Sequence, residues 1–173
     1  MSDPIRVIFV CYGNRCRSPA AEYYAKKYAA DHGLDGIFHF RSAGLNSMYE
    51  SAEPDTINIL WEEEGIDMSG FQSNNLSEKM IRGADYIVTM DGARRDFLRA
   101  SAGAFSPEFA DKVFTLKELA RRGPDPDGSI ADPYEENVEL YRKILHEIKE
   151  HVHWAIEEII AREKDRRGLI LPE

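Results

Sequence analysis

An apolar run, Ile5-Arg6-Val7-Ile8-Phe9-Val10, leads directly into Cys11-Tyr12-Gly13-Asn14-Arg15-Cys16-Arg17-Ser18, with Pro19 next. The run is short and β-branched, which predicts a buried strand over 5–10. Ser18 is a favoured N-cap and Pro19 suits a first helical position, so a helix is predicted over 19–32. Ala21, Tyr24, Ala25 and Tyr28 give that helix one apolar face, and Gly33 ends it. A buried strand, a loop and a helix in immediate succession are half of a parallel β-α-β unit.

The remaining pattern repeats the alternation. Ile37–Phe40 reads as a strand with a turn at Ser42-Ala43-Gly44, and residues 54–64 read as a helix ending before Gly65. A short helix is predicted over Ser77–Arg82, a strand over Tyr86–Met90 and a helix over Gly92–Ala100. A last strand at Lys112–Leu116 is followed by a short helix, then by a Gly-, Pro- and Asp-rich loop from Arg122 to Pro133. A final helix is expected over Glu135–Arg162, with an apolar stripe at Val138, Tyr141, Leu145, Ile148, Val152 and Ile159. The expected class is α/β, with a mainly parallel sheet and helices on both faces. Residues 1–163 form a single domain in this reading, and 164–173 form a poorly ordered, charged then apolar tail. In such sheets ligands sit beyond the carboxyl ends of the strands, where the Cys11 loop lies.

That loop is built to hold a tetrahedral oxyanion. Its backbone N–H groups and the helix N-terminus face the anion, and the same field favours a cysteine thiolate. Arg17 can grip two oxygens with its planar fork. Gly13 permits close approach or positive φ, and Asn14 tolerates the left-handed conformation. Ser18 can donate to the sulfur while capping the helix. Cys11 would then attack phosphorus and form a phosphocysteine. The leaving group needs a proton, for which Asp132, in Asp132-Pro133-Tyr134, is the candidate general acid and then base.

Composition narrows the alternatives. A net charge of −9 over 173 residues argues against nucleic-acid binding and makes Arg15 with Arg17 stand out locally. No apolar stretch approaches a membrane span, and the N-terminus lacks a signal peptide's basic and apolar regions, so a cytoplasmic location is expected. The two cysteines, Cys11 and Cys16, share one loop, which excludes a disulfide framework. No ligand spacing suits zinc, and no metal or other cofactor is expected.

The stretch Val7–Glu22 resembles the signature of the low-molecular-weight protein tyrosine phosphatases. Further echoes are Arg41-Ser42-Ala43-Gly44, Pro54-Asp55, Gly65-Ile66-Asp67-Met68-Ser69, Ala84–Asp91 and Asp132-Pro133-Tyr134, so the likeness runs out only in the tail. The resemblance implies a flavodoxin-like sheet of four parallel strands, with the phosphate-binding loop after the first. It implies Cys11 as nucleophile, Arg17 as clamp and Asp132 as general acid, acting on a phosphotyrosine-containing protein and releasing inorganic phosphate. It also implies that Asn14 and Ser18 stabilise loop and thiolate, that Ser42 bonds to Asn14, and that Cys16 can form a reversible disulfide with Cys11.

Three departures from the family pattern stand out. Arg15 replaces an Ile, Leu or Thr at the pocket mouth, which should favour acidic surroundings in the substrate. The Thr of related arginine phosphatases is absent. Gly70 and Ser73 fall where many relatives carry a His and an Arg that support the loop, so loop support is expected to differ and activity to be modest. Met48 falls at the usual aromatic wall, and Tyr49 and Tyr134 are expected to flank the aryl ring.

Plainer readings stand beside these. Cys16 fits a small buried residue as well as a redox partner. Asp132 can serve as a cap for the last helix, Arg15 as a surface charge and Tyr134 as a packing residue. Asp125 and Asp127 read as solvated turn residues. Competing functions are thiol-dependent arsenate reduction, which needs further downstream cysteines that the chain lacks, and a catalytically weak phosphoprotein-binding module.

Overall fold

The computed structural model describes residues 3–104 and 106–172. Met1 and Ser2, part of the N-terminus read as leader-free, and Glu173, the end of the expected tail, lie outside them. Four strands form one parallel sheet in the order β2-β1-β3-β4: β1 (Ile5–Cys11), β2 (Phe38–Gly44), β3 (Tyr86–Thr89) and β4 (Val113–Thr115). The helices are α1 (Arg17–Asp31), α2 (Pro54–Glu64), α3 (Glu78–Gly83), α4 (Gly92–Gly103), α5 (Pro107–Ala110), α6 (Leu116–Ala120) and α7 (Val138–Arg167). This is the flavodoxin-like α/β architecture expected. No helix among the described residues is long and apolar enough to cross a membrane.

Alternation along β1 builds the two layers. Ile5, Val7, Phe9 and Cys11 face the larger core, with α1, α2, α6 and α7. Ile8 and Val10 face a smaller core with Leu98 of α4. The direction of strand order reverses between β1 and its neighbours β2 and β3. The loop after β1 therefore opens at the crevice where α/β sheets bind ligands.

Several boundaries differ from the sequence-based expectation. Ser42-Ala43-Gly44 is not a turn: it completes β2, paired with Phe9, Val10 and Cys11. Ser18 is not the N-cap of α1. Cys16 holds that position without a side-chain cap bond, because the Ser18 hydroxyl is engaged inside the loop. The short helix α5, opened by Pro107, is an addition.

The last helix starts later and ends later than its pattern implies. Glu135 has φ of 62°, which breaks the helix, and Asn137 caps it by accepting from the Leu140 N–H. Val138 is exposed rather than part of the stripe. At the other end residues 164–167 remain helical, and Gly168 caps them in the left-handed region. The reason is tertiary. Glu163 is fully buried, accepts from the Tyr86 hydroxyl at 2.6 Å and pairs with Arg166 and Arg167. A local reading sees only a solvated charge run there. Beyond the cap, Leu169 and Leu171 pack against the larger core.

Candidate active site

The loop from Cys11 to Ser18 bridges the end of β1 and the start of α1. Among the described residues no carbonyl takes the N–H groups of residues 12–18, and the first bond of α1 runs from the Ala20 N–H to the Cys16 carbonyl. Those free donors at a helix N-terminus are what an oxyanion requires.

Asn14 fixes the loop's shape. It has φ of 54° and is fully buried. A left-handed non-glycine residue costs about 1–2 kcal/mol. Four hydrogen bonds, each contributing about 1 kcal/mol, offset that cost. Its Nδ2 donates to Ser18 Oγ at 2.9 Å and to Ser42 Oγ at 3.0 Å. Its Oδ1 accepts from the Asn74 N–H at 3.0 Å, and its carbonyl accepts from Ser73 Oγ at 2.7 Å. Gly13 is not in the left-handed region, so the turn is carried by Asn14 alone.

Ser73 and Asn74 therefore supply support from the segment where Gly70 and Ser73 depart from the family pattern. Asn74 also donates from Nδ2 to the Ser42 carbonyl at 3.1 Å. Behind Ser42, the buried Glu22 accepts from its hydroxyl and pairs with Lys26 at 2.6 Å. Sequence reasoning missed Glu22 and Asn74. The one available signal for Glu22 was a carboxylate on the helix face that also carries Ala21 and Ala25.

Gly44 is the point where β2 touches the loop. A Cβ there would lie 2.9 Å from the Tyr12 carbonyl oxygen and 3.0 Å from the Asn14 nitrogen. Both contacts are backbone, so the loop itself must move. Gly44→Ala should lower kcat on an aryl phosphate at least about tenfold and stability by about 1–3 kcal/mol. Unchanged kcat together with an unchanged thermal midpoint would show that the loop does not depend on this contact.

Cys11, 4% exposed, has its sulfur 2.9 Å from Ser18 Oγ. Arg17, the first residue of α1, is buried and held from two sides. Its Nη1 donates to the Ile130 carbonyl at 2.9 Å and lies 3.5 Å from Asp91, just after β3. Its Nη2 lies 3.7 Å from Asp132. Asp91 is thus a further anchor of the Arg17 side chain, and its own turn is fixed by the Arg94 N–H at 2.9 Å. Asp132 accepts from the Tyr134 N–H at 3.1 Å and leaves its side chain 56% exposed. Because Asn137 caps α7, Asp132 is not that helix's cap.

Cys16 is a buried residue of the loop. Burial pushes its thiol up to about 12, against a hydrogen bond with Tyr141. Both cysteines are free thiols. Arg15 is not a free charge at the mouth. It pairs with Glu53 at 2.6 Å, donates to the Ser51 carbonyl at 3.2 Å and lies 4.1 Å above the Tyr49 ring. The expected pull on acidic substrate residues is therefore neutralised by Glu53, a partner that sequence spacing does not reveal.

A cleft of about 250 Å³ joins these parts. Cys11, Gly13, Cys16 and Arg17 line it with Asp132, while Tyr12, Met48, Tyr49 and Tyr134 form its walls beside Arg15, Asn46 and Glu53. The side chains of Asn14 and Ser18, within the loop, and of Ser42, on β2, are buried. The structure places Met48, Tyr49 and Tyr134 on the lining of this cleft. A larger cavity of about 570 Å³, over the free edge of β2, is lined by Glu22 and Asn74 but not by Cys11, Arg17 or Asp132.

Comparison with known proteins identifies the family. The model of the family "Low molecular weight phosphotyrosine protein phosphatase" matches residues 6–166. A protein-arginine-phosphatase of Bacillus subtilis (strain 168) is 32% identical over 162 residues, spanning 93% of this chain and 99% of the relative. The low molecular weight protein-tyrosine-phosphatase YfkJ of the same strain is 33% identical over 140 residues, 80% of this chain and 89% of YfkJ. The crystal structure of a low molecular weight protein tyrosine phosphatase from T. tengcongensis superposes with a TM-score of 0.77 at 32% identity, covering 89% of this chain and 99% of that one. The chain belongs to the low molecular weight phosphotyrosine protein phosphatase family.

Proposed function

We propose that the enzyme hydrolyses phosphotyrosine in proteins by two displacements, with Cys11 as nucleophile, Arg17 as phosphate clamp and Asp132 as general acid and then base. The observation that carries this reading is the cleft itself: sulfur, guanidinium and carboxyl group meet between aromatic walls.

In the first step Cys11 Sγ attacks phosphorus in line as the ester P–O bond breaks. Asp132 hands its proton to the departing phenolic oxygen. Arg17 and the N–H groups of residues 12–18 neutralise the equatorial oxygens, which removes the repulsion between thiolate and phosphoryl group. In the second step water attacks phosphorus, Asp132 takes its proton, and the S–P bond breaks. Inorganic phosphate leaves and the thiolate returns, stabilised by the Ser18 hydroxyl. Water is the only co-reactant.

A second reading, phosphoarginine, is favoured by the arginine phosphatase among the relatives. The mouth argues for phosphotyrosine. A phosphoarginine side chain brings its own guanidinium, and Arg15 already sets one against Glu53 and Tyr49. An aryl ring needs only the apolar faces of Tyr12, Met48, Tyr49 and Tyr134. Arsenate reduction is disfavoured because only Cys11 and Cys16 are available to carry a disulfide.

One peptide presented with phosphotyrosine, phosphoserine or phosphoarginine tests the choice. Phosphotyrosine should give the highest kcat/KM, and Arg15→Ala should raise the relative rate on phosphoarginine. Faster cleavage of phosphoarginine by the unaltered enzyme would overturn the phosphotyrosine assignment.

A further inference from the structure

We propose that an apolar groove beside the catalytic cleft receives a hydrophobic side chain of the phosphoprotein substrate, close in sequence to the phosphorylated residue. The proposal rests on the phosphotyrosine reading above. The groove, about 580 Å³, runs over Leu45, Leu76, Ile81, Phe97 and Leu98, and Tyr12 lines it too. Tyr12 also lines the cleft that holds Cys11. One residue thus borders both spaces, and a substrate chain leaving the cleft past Tyr12 meets the groove next.

The groove is the open upper side of the smaller core. Leu98 is buried there, with Leu45, Leu76 and Ile81 partly buried around it. Phe97 remains 58% exposed and Tyr12 49% exposed. Helical spacing explains the contrast within α4: Leu98 turns into the core, and its neighbour Phe97 is not needed to fill it. The flanking positions Arg94, Arg95, Asp96 and Arg99 are all charged, so an exposed phenylalanine is the exception on this helix. Contiguous exposed apolar surface at the rim of a binding cleft marks a contact for a partner.

The dividing wall is held in place, which lowers the cost of binding against it. The Tyr12 hydroxyl accepts from Asn46 Nδ2 at 3.0 Å, and the Arg94 guanidinium stands 5.4 Å from its ring centroid. Arg94 shares the Asp91 carboxylate with Arg17, each at 3.5 Å, and the groove beside it is floored by the apolar Leu45, Leu76, Ile81 and Leu98. Selection in the groove therefore falls to apolar contact. An extended chain advances about 3.3 Å per residue, so three residues on either side of the phosphotyrosine reach about 10 Å along the surface past Tyr12.

The test is a set of phosphotyrosine peptides carrying Leu, Ala or Asp singly at each of about three positions on either side. An aryl phosphate, which ends at the ring, measures the active enzyme present. One position should favour Leu over Ala about tenfold in kcat/KM, chiefly through KM. Phe97→Ser should bring that ratio close to one, and Phe97→Leu should restore it. Cleavage of every peptide with no preference for Leu, or a preference that Phe97→Ser leaves intact, overturns the groove and leaves the phosphotyrosine reading standing. Failure to cleave any peptide overturns both.

Discussion

Cys11→Ser should abolish hydrolysis of aryl phosphates and phosphotyrosine peptides, with kcat falling at least about 10⁴-fold. The loss is chemical and not structural. Serine fits the space, and its hydroxyl can keep the contact that Cys11 sulfur makes with Ser18 Oγ at 2.9 Å. It cannot become an anion in the same field at neutral pH. Arg17 and the loop N–H groups are untouched, so the variant should still bind inorganic phosphate, as read by calorimetry or by protection against unfolding. Residual turnover within about tenfold of the unaltered enzyme would show that Cys11 is not the nucleophile. Cys16 offers no substitute: it is buried, and its thiol is pushed up to about 12.

Asp132→Asn should slow cleavage of phosphotyrosine about 10²- to 10⁴-fold, the usual range for a positioned general acid. The size of the loss depends on the leaving group. A tyrosine phenolate, with a pKa near 10, needs the proton, whereas a strongly acidic phenol departs well without it. The variant should therefore lose far more on phosphotyrosine than on a nitrophenyl ester. Asparagine can keep the bond to the Tyr134 N–H that Asp132 accepts at 3.1 Å, so the 132–134 turn should stay folded. It removes the carboxylate 3.7 Å from Arg17, and phosphate should bind no more weakly. A loss independent of the leaving group would remove Asp132 from proton transfer.

The site was legible where its chemistry is local. Strand, loop and helix follow one another within residues 5–31, so the place of the Cys11–Ser18 loop at the end of the first strand could be read from residue types alone. The parallel sheet followed from alternation of short apolar runs with helical periods. What was hidden depends on contacts far apart in sequence. Asn14 meets Ser73 and Asn74, Arg17 meets Asp91 and the Ile130 carbonyl, and Arg15 meets Glu53. None of these pairings leaves a periodic trace. Ser18 was misplaced as a cap for a related reason: its hydroxyl serves Cys11 and Asn14 instead. The end of α7 was missed because Glu163 accepts a hydrogen bond from Tyr86, on a distant strand, and is paired with arginines of its own helix.

Identification of the covalent intermediate decides whether Cys11 is the nucleophile. The enzyme is mixed with excess aryl phosphate, quenched in acid within one turnover, digested and mapped by mass spectrometry. A phosphoryl group is expected on the peptide that spans the loop, localised to Cys11 and absent from Cys11→Ser. A phosphoryl group on any other residue, or none while hydrolysis continues, would contradict that role.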